Sequence, residues 1–312
     1  MTISYCVTAC NETETLSKLL SYLVLVNTPE DEIIVLFDKD NYTSESEKIV
    51  LDYQKANNSN NNFKVLYHPL NKNYGKHKNY GIAQCSKEFI FQLDGDELPS
   101  GNLIGENLRS LIESNPTTDA YAVPRINAWK GLTQEHAKKW GWALDISPTY
   151  NRVRAAWPDY QWRIFKNVPY IRFRKRLHEK IEGYKTYAIL PADEEWALYH
   201  NKTIEKQVET NIKYNSEFTF TENIGSEIFC VLWNEKIDGI PMVNGSILNT
   251  HKNWKEIFND VKKNYPLVKE TEQFRVVETT PLVGGTSYND SFGNNRKIPD
   301  TCTHILRVES II

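Results

Sequence analysis

The sequence predicts an α/β fold, a mostly parallel sheet flanked by helices, followed by a C-terminal mainly helical and loop extension. Strand and helix signals alternate through the first half, which demands crossover connections and hence parallel strands. Three of those strands close on polar or acidic residues, Asn11, Asp38 and Asp94, and in open sheets of this kind ligands bind beyond the carboxyl ends of the strands. A chain of 312 residues that is 40% hydrophobic buries a sizeable core and has room for an appendage. We place the main domain at 1–200 and the extension at 201–312.

Ile3 to Ala9 is a short apolar run and the first strand. Asn11 with Glu14 reads as a capping box opening a helix through Leu16, Leu19, Leu20 and Leu23. Glu32 to Phe37 is a second buried strand ending at Asp38, and a polar helix follows from about Ser44 to Ala56. The Asn-rich tract Asn57 to Asn62 is expected to be a surface loop. Phe63 to Tyr67 is a third strand, Lys76 to Cys85 a helix, and Phe89 to Leu93 the fourth strand. In the extension, Ile204, Val208 and Ile212 recur at helical spacing, and Trp254, Ile257, Val261 and Tyr265 suggest a second amphipathic helix. Both are expected to pack on the main domain or to pair subunits in a homodimer. Pro281 to Pro299 reads as a loop, either a lid or an unstructured connection.

A net charge of -3 offers no attraction for nucleic acid or an anionic membrane. No apolar stretch reaches the roughly 18 residues a membrane span needs, and Met1-Thr2-Ile3-Ser4 enters a strand with no basic leader. A soluble, cytoplasmic protein with no transmembrane segment is expected. The five cysteines, Cys6, Cys10, Cys85, Cys230 and Cys302, are an odd number without a CxxC pair, which favours reduced thiols over a disulfide frame or zinc site.

The fourth strand delivers Asp94-Gly95-Asp96-Glu97 to the open edge of the sheet. Two carboxylates two residues apart point the same way, and Gly95 has no Cβ to crowd a ligand. Such a pair suits a hard divalent cation that shares its coordination with substrate phosphates. An isolated Asp-Gly is equally a turn with solvated acids. The metal and diphosphate reading therefore rests on the convergence of the three strand ends.

Val7-Thr8-Ala9-Cys10-Asn11-Glu12 resembles the opening strand and Asn-Glu turn of family 2 glycosyltransferases with the Rossmann-like GT-A fold. Leu36-Phe37-Asp38-Lys39-Asp40 resembles their second strand, although the commoner ending there is Asp-Asp-Gly-Ser. Asn73 to Gly81 resembles the segment before the DxD motif, and Asp94-Gly95-Asp96 the motif itself. The resemblance covers 1–125 and implies a UDP-sugar donor bound there, with 126–200 as the acceptor half. By that resemblance Asp38 accepts the uracil ring N–H, and Thr8, Asn11 and Glu12 border the base and ribose. Asn11 reads equally as a cap. Lys78, with Lys76 beside it, stands at a helix start where an ammonium can face a diphosphate, and either lysine reads equally as a solvated charge.

Trp157 to Lys166, then Arg176-Leu177-His178-Glu179, then Leu198-Tyr199-His200, resemble the signature of lipopolysaccharide-core type glucosyltransferases. This implies an inverting, metal-dependent transfer of a hexose, by resemblance from UDP-glucose, to a hydroxyl of a glycan such as a surface polysaccharide or lipopolysaccharide core. Asp94, Asp96 and His200 would hold Mn2+ or Mg2+ to neutralise the departing diphosphate, with Asp94 and Arg163 on the donor. Glu179 is the expected general base and His178 its orienting partner or a phosphate contact. Asp193, Glu194 and Glu195 are alternatives for the base. Trp129, Trp140, Trp142, Tyr150, Trp157, Tyr160 and Trp162 supply either an acceptor platform or core. Two rivals stand beside this reading. One is a non-catalytic glycan- or nucleotide-sugar-binding pseudoenzyme. The other is a sugar nucleotidyltransferase, against which counts the lack of a glycine-rich, arginine-containing phosphate loop after the first strand. Abundant Asn, Lys and Ile suit an AT-rich bacterial or viral genome.

Overall fold

The computed structural model describes residues 1–57, 62–140, 142–147, 153–200 and 202–218, together with strand segments between 228 and 310. Its residues gather into two compact units, Met1–Leu132 with Leu144–Ile204, and Thr133–Ala143 with Glu205–Ile312.

The first unit opens with β1 (Ile3–Ala9), α1 (Glu14–Val26), β2 (Glu32–Asp38), α2 (Ser44–Asn57), β3 (Phe63–His68), α3 (Tyr74–Ile82) and β4 (Phe89–Asp94), the alternation its sequence predicts. β5 (Glu97–Pro99), α4 (Gly105–Glu113) and β6 (Ala120–Asn127) follow, and α5 (Gln134–Trp140) belongs to the second unit. The chain then returns through β7 (Leu144–Ile146), β8 (Val153–Lys166), β9 (Arg172–Arg174), β10 (Lys180–Glu182), β11 (Tyr187–Ile189) and β12 (Leu198–His200). The sheet order is β3-β2-β1-β4-β8-β6-β12-β5, with β11 beside β6 and β7 beside β8. β1 runs parallel to β2 and β4, and β2 to β3. β8 is antiparallel to β4 and β6, while β12 is parallel to β6 and antiparallel to β5.

β1 and β2 are apolar without alternation because both faces of the parallel sheet are covered. Tyr5 and Val7 pack with Leu16, Leu19, Leu20 and Leu23 of α1 on one face. Cys6, pointing the other way, packs with Ile82, Ile90, Phe165 and Phe173. The turn after β1 departs from the expected capping box: α1 starts at Glu14 with Thr13 as its cap residue, which makes no side-chain capping bond. Glu12 instead bends back to accept the Cys10 N–H at 2.8 Å, and Ser46 Oγ donates to the Cys10 carbonyl at 2.8 Å. Asn11 is exposed ahead of this turn. α3 begins two residues earlier than expected, because the Asn73 side chain caps it by accepting the Lys76 N–H at 2.9 Å.

In the second unit, α6 (Ile204–Glu217) forms where the spacing of Ile204, Val208 and Ile212 puts it. Beyond it the expectation of a mainly helical and loop extension is corrected. β13 (Ile228–Trp233), β14 (Met242–Val243), β15 (Phe274–Pro281), β16 (Ser287–Asn289), β17 (Asn295–Lys297) and β18 (His304–Ser310) are strands. Four of them pair in the order β14-β13-β18-β15, and β16 pairs antiparallel with β17 inside the expected Pro281 to Pro299 loop. The run Ile-Phe-Cys-Val-Leu-Trp is short, β-branched and aromatic, which favours strand over helix. The helix expected around Trp254 to Tyr265, and residues 58–61 of the Asn-rich tract, lie outside the described residues. Among the described residues no helix is long and apolar enough to cross a membrane.

Asp31 anchors the far end of the sheet. Fully buried, it accepts the N–H groups of Ile3 at 2.8 Å and Thr28 at 2.9 Å and pairs with the Arg109 guanidinium of α4. Removing one partner of a buried pair strands the other's charge. Asp31→Ala should therefore lower the unfolding free energy by about 3–5 kcal/mol in urea titrations, and a loss below about 1 kcal/mol would show that Arg109 finds another partner.

Candidate active site

β1 and β4 end together, with Thr8 opposite Asp94 in register. Thr8 Oγ1 donates to Asp94 Oδ1 at 2.7 Å, and the Gly95 N–H donates to the Thr8 carbonyl at 2.8 Å. Lys78 reaches in from α3. Its ammonium, buried with the rest of the side chain, lies 3.0 Å from Asp94 Oδ1 and 2.7 Å from Glu179 Oε1. On the opposite side, Arg163 Nη2 lies 2.6 Å from both Asp94 Oδ2 and Glu97 Oε1. A β-bulge delivers it: Tyr121 pairs with Ile164 and Ala122 with Trp162, leaving Arg163 as the extra residue.

From Glu97 the charges continue in alternation. Glu97 Oε2 accepts the Asp94 N–H at 3.1 Å, and Oε1 meets Arg125 Nη1 at 3.1 Å. Arg125 Nε and Nη2 both reach Asp159 Oδ2, at 2.9 and 2.7 Å. Asn127 stands 2.9 Å from the same oxygen and 2.9 Å from His200 Nδ1, and His200 Nε2 closes the circuit 3.2 Å from Asp96 Oδ2. β12 makes this last contact by lying between β6 and β5, where His200 faces Asn127 on one side and Glu97 on the other.

These surroundings set the ionisation of the site. Burial alone would raise the Asp94 carboxyl, but Arg163, Lys78 and the Thr8 hydroxyl hold it far below the usual carboxylate range. Burial acts against Asp96 in the same way and His200 more than offsets it. Burial would lower the Lys78 ammonium, yet Asp94 and Glu179 keep it above its ordinary value. Asp94 and Asp96 are therefore anions at neutral pH and Lys78 a cation.

The expected metal ligands divide into two groups. Asp96 and His200 are adjacent and present oxygen and nitrogen donors, whereas Asp94 is already neutralised by Lys78 and Arg163. Among the described residues no cluster of three or more His, Cys, Asp or Glu is placed to hold a metal ion. A cation at Asp96 and His200 would complete its shell with diphosphate oxygens and water, as is usual where substrate phosphates share the coordination. The donor set fits a divalent cation, and a nitrogen ligand suits Mn2+ better than Mg2+.

Asp38 is buried at the end of β2. It accepts the N–H groups of Leu70 at 3.0 Å and Asp40 at 3.3 Å on Oδ1, and Asn41 Nδ2 at 2.7 Å on Oδ2. It thus joins the turns after β2 and β3 while keeping acceptor capacity for one more donor. Lys76 is exposed. His178 takes φ 50 and Lys175 φ 70, so the segment carrying Glu179 is bent through left-handed backbone. It is pressed onto the start of α3, where the Tyr74 N–H donates to the Arg176 carbonyl at 2.8 Å. Gly75 is needed there because a Cβ would strike the Lys175 carbonyl oxygen.

The alternative bases are engaged elsewhere. Asp193 caps a short 3-10 turn through the Glu195 N–H at 2.9 Å, buried Glu194 pairs with Arg154 at 2.7 Å, and Glu195 lies 3.5 Å from Asn102. Trp129 meets the His200 ring edge-on with centroids 6.2 Å apart, while Trp162 packs on Tyr184 and Trp157 under Arg154. The side chain of Trp140 and all of Tyr150 lie outside the described residues. Glu97, Arg125, Asn127 and Asp159 had no role assigned from sequence. The signal available for two of them was charge and amide at alternate positions of the otherwise apolar Ala120–Asn127 strand.

Comparison with known proteins bears on the family. The model described as Glycosyl transferase family 2 matches residues 4–181, more than half of the chain. The chain belongs to that family of glycosyltransferases. A poly-beta-1,6-N-acetyl-D-glucosamine synthase of Staphylococcus epidermidis is 32% identical over 94 residues, 30% of this chain and 21% of that protein. The chain thus spans about a fifth of the length of the curated relatives it matches. Among solved structures, S. aureus TarS 1-349 in complex with UDP-GlcNAc superposes with a TM-score of 0.46 at 18% identity, over 70% of this chain and 66% of that one. The mannosyltransferase PcManGT from Pyrobaculum calidifontis, in complex with GDP-Man and Mn2+, superposes with a TM-score of 0.44 at 14% identity, over 72% and 64%.

His77, beside Lys78, gives the fold a pH response. Burial pushes its imidazole down to about 4, against the attraction of Asp38. Between the unfolded value of about 6.5 and about 4, the unfolded chain binds a proton the folded one does not, so stability falls as pH drops through that window. His77→Gln should flatten the dependence of unfolding free energy on pH across that range by on the order of 1–3 kcal/mol. An unchanged slope would mean His77 stays accessible to protons in the fold.

Proposed function

We propose that this glycosyltransferase carries out a metal-assisted, inverting transfer of a hexose from a UDP-sugar to a glycan hydroxyl. The observation that carries the reading is the placement of Lys78. One buried ammonium spans Asp94 Oδ1 at 3.0 Å and Glu179 Oε1 at 2.7 Å, which sets the candidate base beside the candidate diphosphate site. Glu179 is paired through Oε1, so Oε2 is the oxygen assigned to take the acceptor's proton. As that proton moves, the acceptor oxygen attacks the anomeric carbon from the face opposite the diphosphate. The bond from that carbon to the diphosphate breaks, UDP leaves with the electron pair, and the configuration inverts.

In this reading Lys78 and Arg163, both buried cations, meet the phosphates. A divalent cation at Asp96 and His200, with Asp94 alongside, supplies neutralisation of the leaving diphosphate. Asp38 has acceptor capacity left for the uracil N–H, with Thr8, Asn11 and Glu12 around base and ribose. The acceptor is assigned to residues 126–200, where Trp129 backs His200. The name of the S. epidermidis relative shifts the donor from UDP-glucose toward UDP-N-acetylglucosamine and supports a polysaccharide acceptor.

Two measurements test this. Incubation with Mn2+ and a panel of UDP-sugars, with UDP release followed with and without glycans, should show release for one donor and its loss in EDTA or in Asp96→Ala. Undiminished turnover in EDTA would remove the metal. Glu179→Gln cannot accept the proton, so transfer should fall by about 10²- to 10⁴-fold while UDP-sugar binding persists. Near-normal transfer by a folded Glu179→Gln protein would take the base role from this residue.

A further inference from the structure

We infer that Asn127, held by Asp159, is a positioning residue that fixes the tautomer of His200 and turns its Nε2 lone pair onto Asp96. The inference rests on the metal reading proposed above and concerns residues that reading leaves without a role.

Asp159 accepts two N–H groups of Arg125 on Oδ2 and the Gln161 amide on Oδ1 at 2.7 Å. Burial opposes its ionisation, but Arg125 and the amides of Asn127 and Gln161 prevail and hold its carboxyl below the ordinary value. An ionised carboxylate only accepts, so the Asn127 group 2.9 Å from Oδ2 is the NH2 end of the amide. The amide oxygen is then the group 2.9 Å from His200 Nδ1. A carbonyl oxygen cannot donate, so Nδ1 carries the proton, and a neutral imidazole in that tautomer offers a lone pair at Nε2. That lone pair lies 3.2 Å from Asp96 Oδ2, which is also an acceptor. Two acceptors held together require a positive charge between them, either a proton or a metal ion. A histidine whose other nitrogen is fixed by a hydrogen-bonded partner is how proteins prepare an imidazole for a metal. The strands enforce the arrangement: Asn127 and His200 are register partners, and Arg125 and Asn127, two residues apart on β6, share one oxygen of Asp159.

The test uses the full chain with Asn127→Leu, close in volume and unable to hydrogen-bond. Mn2+ binding in the presence of UDP is read by electron paramagnetic resonance, and the His200 ring by ¹⁵N NMR of the protein loaded with Mg2+ and UDP. Wild type should bind Mn2+ and show the Nδ1–H tautomer. Asn127→Leu should bind Mn2+ about 10- to 100-fold more weakly and populate the Nε2–H tautomer. If the leucine variant does not fold, Asn127→Ala is read in the same way. Equal Mn2+ affinity in wild type and a folded variant, or an Nε2–H tautomer in loaded wild type, would overturn the inference alone. Failure of wild type to bind Mn2+ would overturn the metal reading and the inference with it.

Discussion

Buried charge must be compensated at close range, and this single constraint organises the site. Asp94, Arg163, Glu97, Arg125 and Asp159 alternate in sign at 2.6 to 3.1 Å, and the run continues through Asn127 and His200 to Asp96. Both carboxylates of Asp94-Gly95-Asp96 are thus ends of one circuit. Glu97 has no solvent exposure and stands between two guanidiniums, so removing it would leave two buried cations facing each other. In a low-dielectric interior that penalty exceeds what any one of these contacts contributes. The circuit is therefore specified collectively, and in the proposed donor site its groups would be oriented before substrate arrives, which is where electrostatic catalysis gains most.

Topology makes the circuit possible. β8 lies between β4 and β6, so Arg163 can bridge β4 and the second half of the unit, and β12 slots between β6 and β5 to bring His200 against Asp96. The Glu179 segment joins from another direction, clamped to α3 by Asn79, whose side chain donates to the Phe173 carbonyl at 2.8 Å and accepts its N–H at 2.9 Å. α3 thereby positions Lys78 and, through Lys78 and this clamp, Glu179. One nine-residue helix sets the spacing between the proposed phosphate site and the proposed base.

Much of this was legible in the sequence because period and burial leave a local record. The strands from Ile3 to Asp94 and the helices between them follow from apolar runs, polar strand ends and crossover logic, whereas Thr8 was singled out only through the family resemblance. The turn at Asn11 was misjudged because Glu12 bends back to the Cys10 N–H and the helix begins only at Glu14, and local patterns do not foresee such a turn. The partnership of Arg125 with Asp159, or of Asn127 with His200, depends on which strands become neighbours after a reversal of direction. A bulge at Arg163 leaves no mark in composition. The strands beyond 218 were missed because a helical spacing nearby set the expectation for the whole extension, although Ile228 to Trp233 is a plain strand run.

The central claim is that the circuit acts as a unit, and a double-mutant cycle between Glu97→Gln and Asp159→Asn, read as Mn2+-dependent UDP affinity by calorimetry, tests it most directly. Arg125 bridges the two side chains. A unit predicts that the double variant departs from the sum of the singles by at least about 0.5 kcal/mol. Additivity within about 0.3 kcal/mol would contradict it and reduce the circuit to independent pairs.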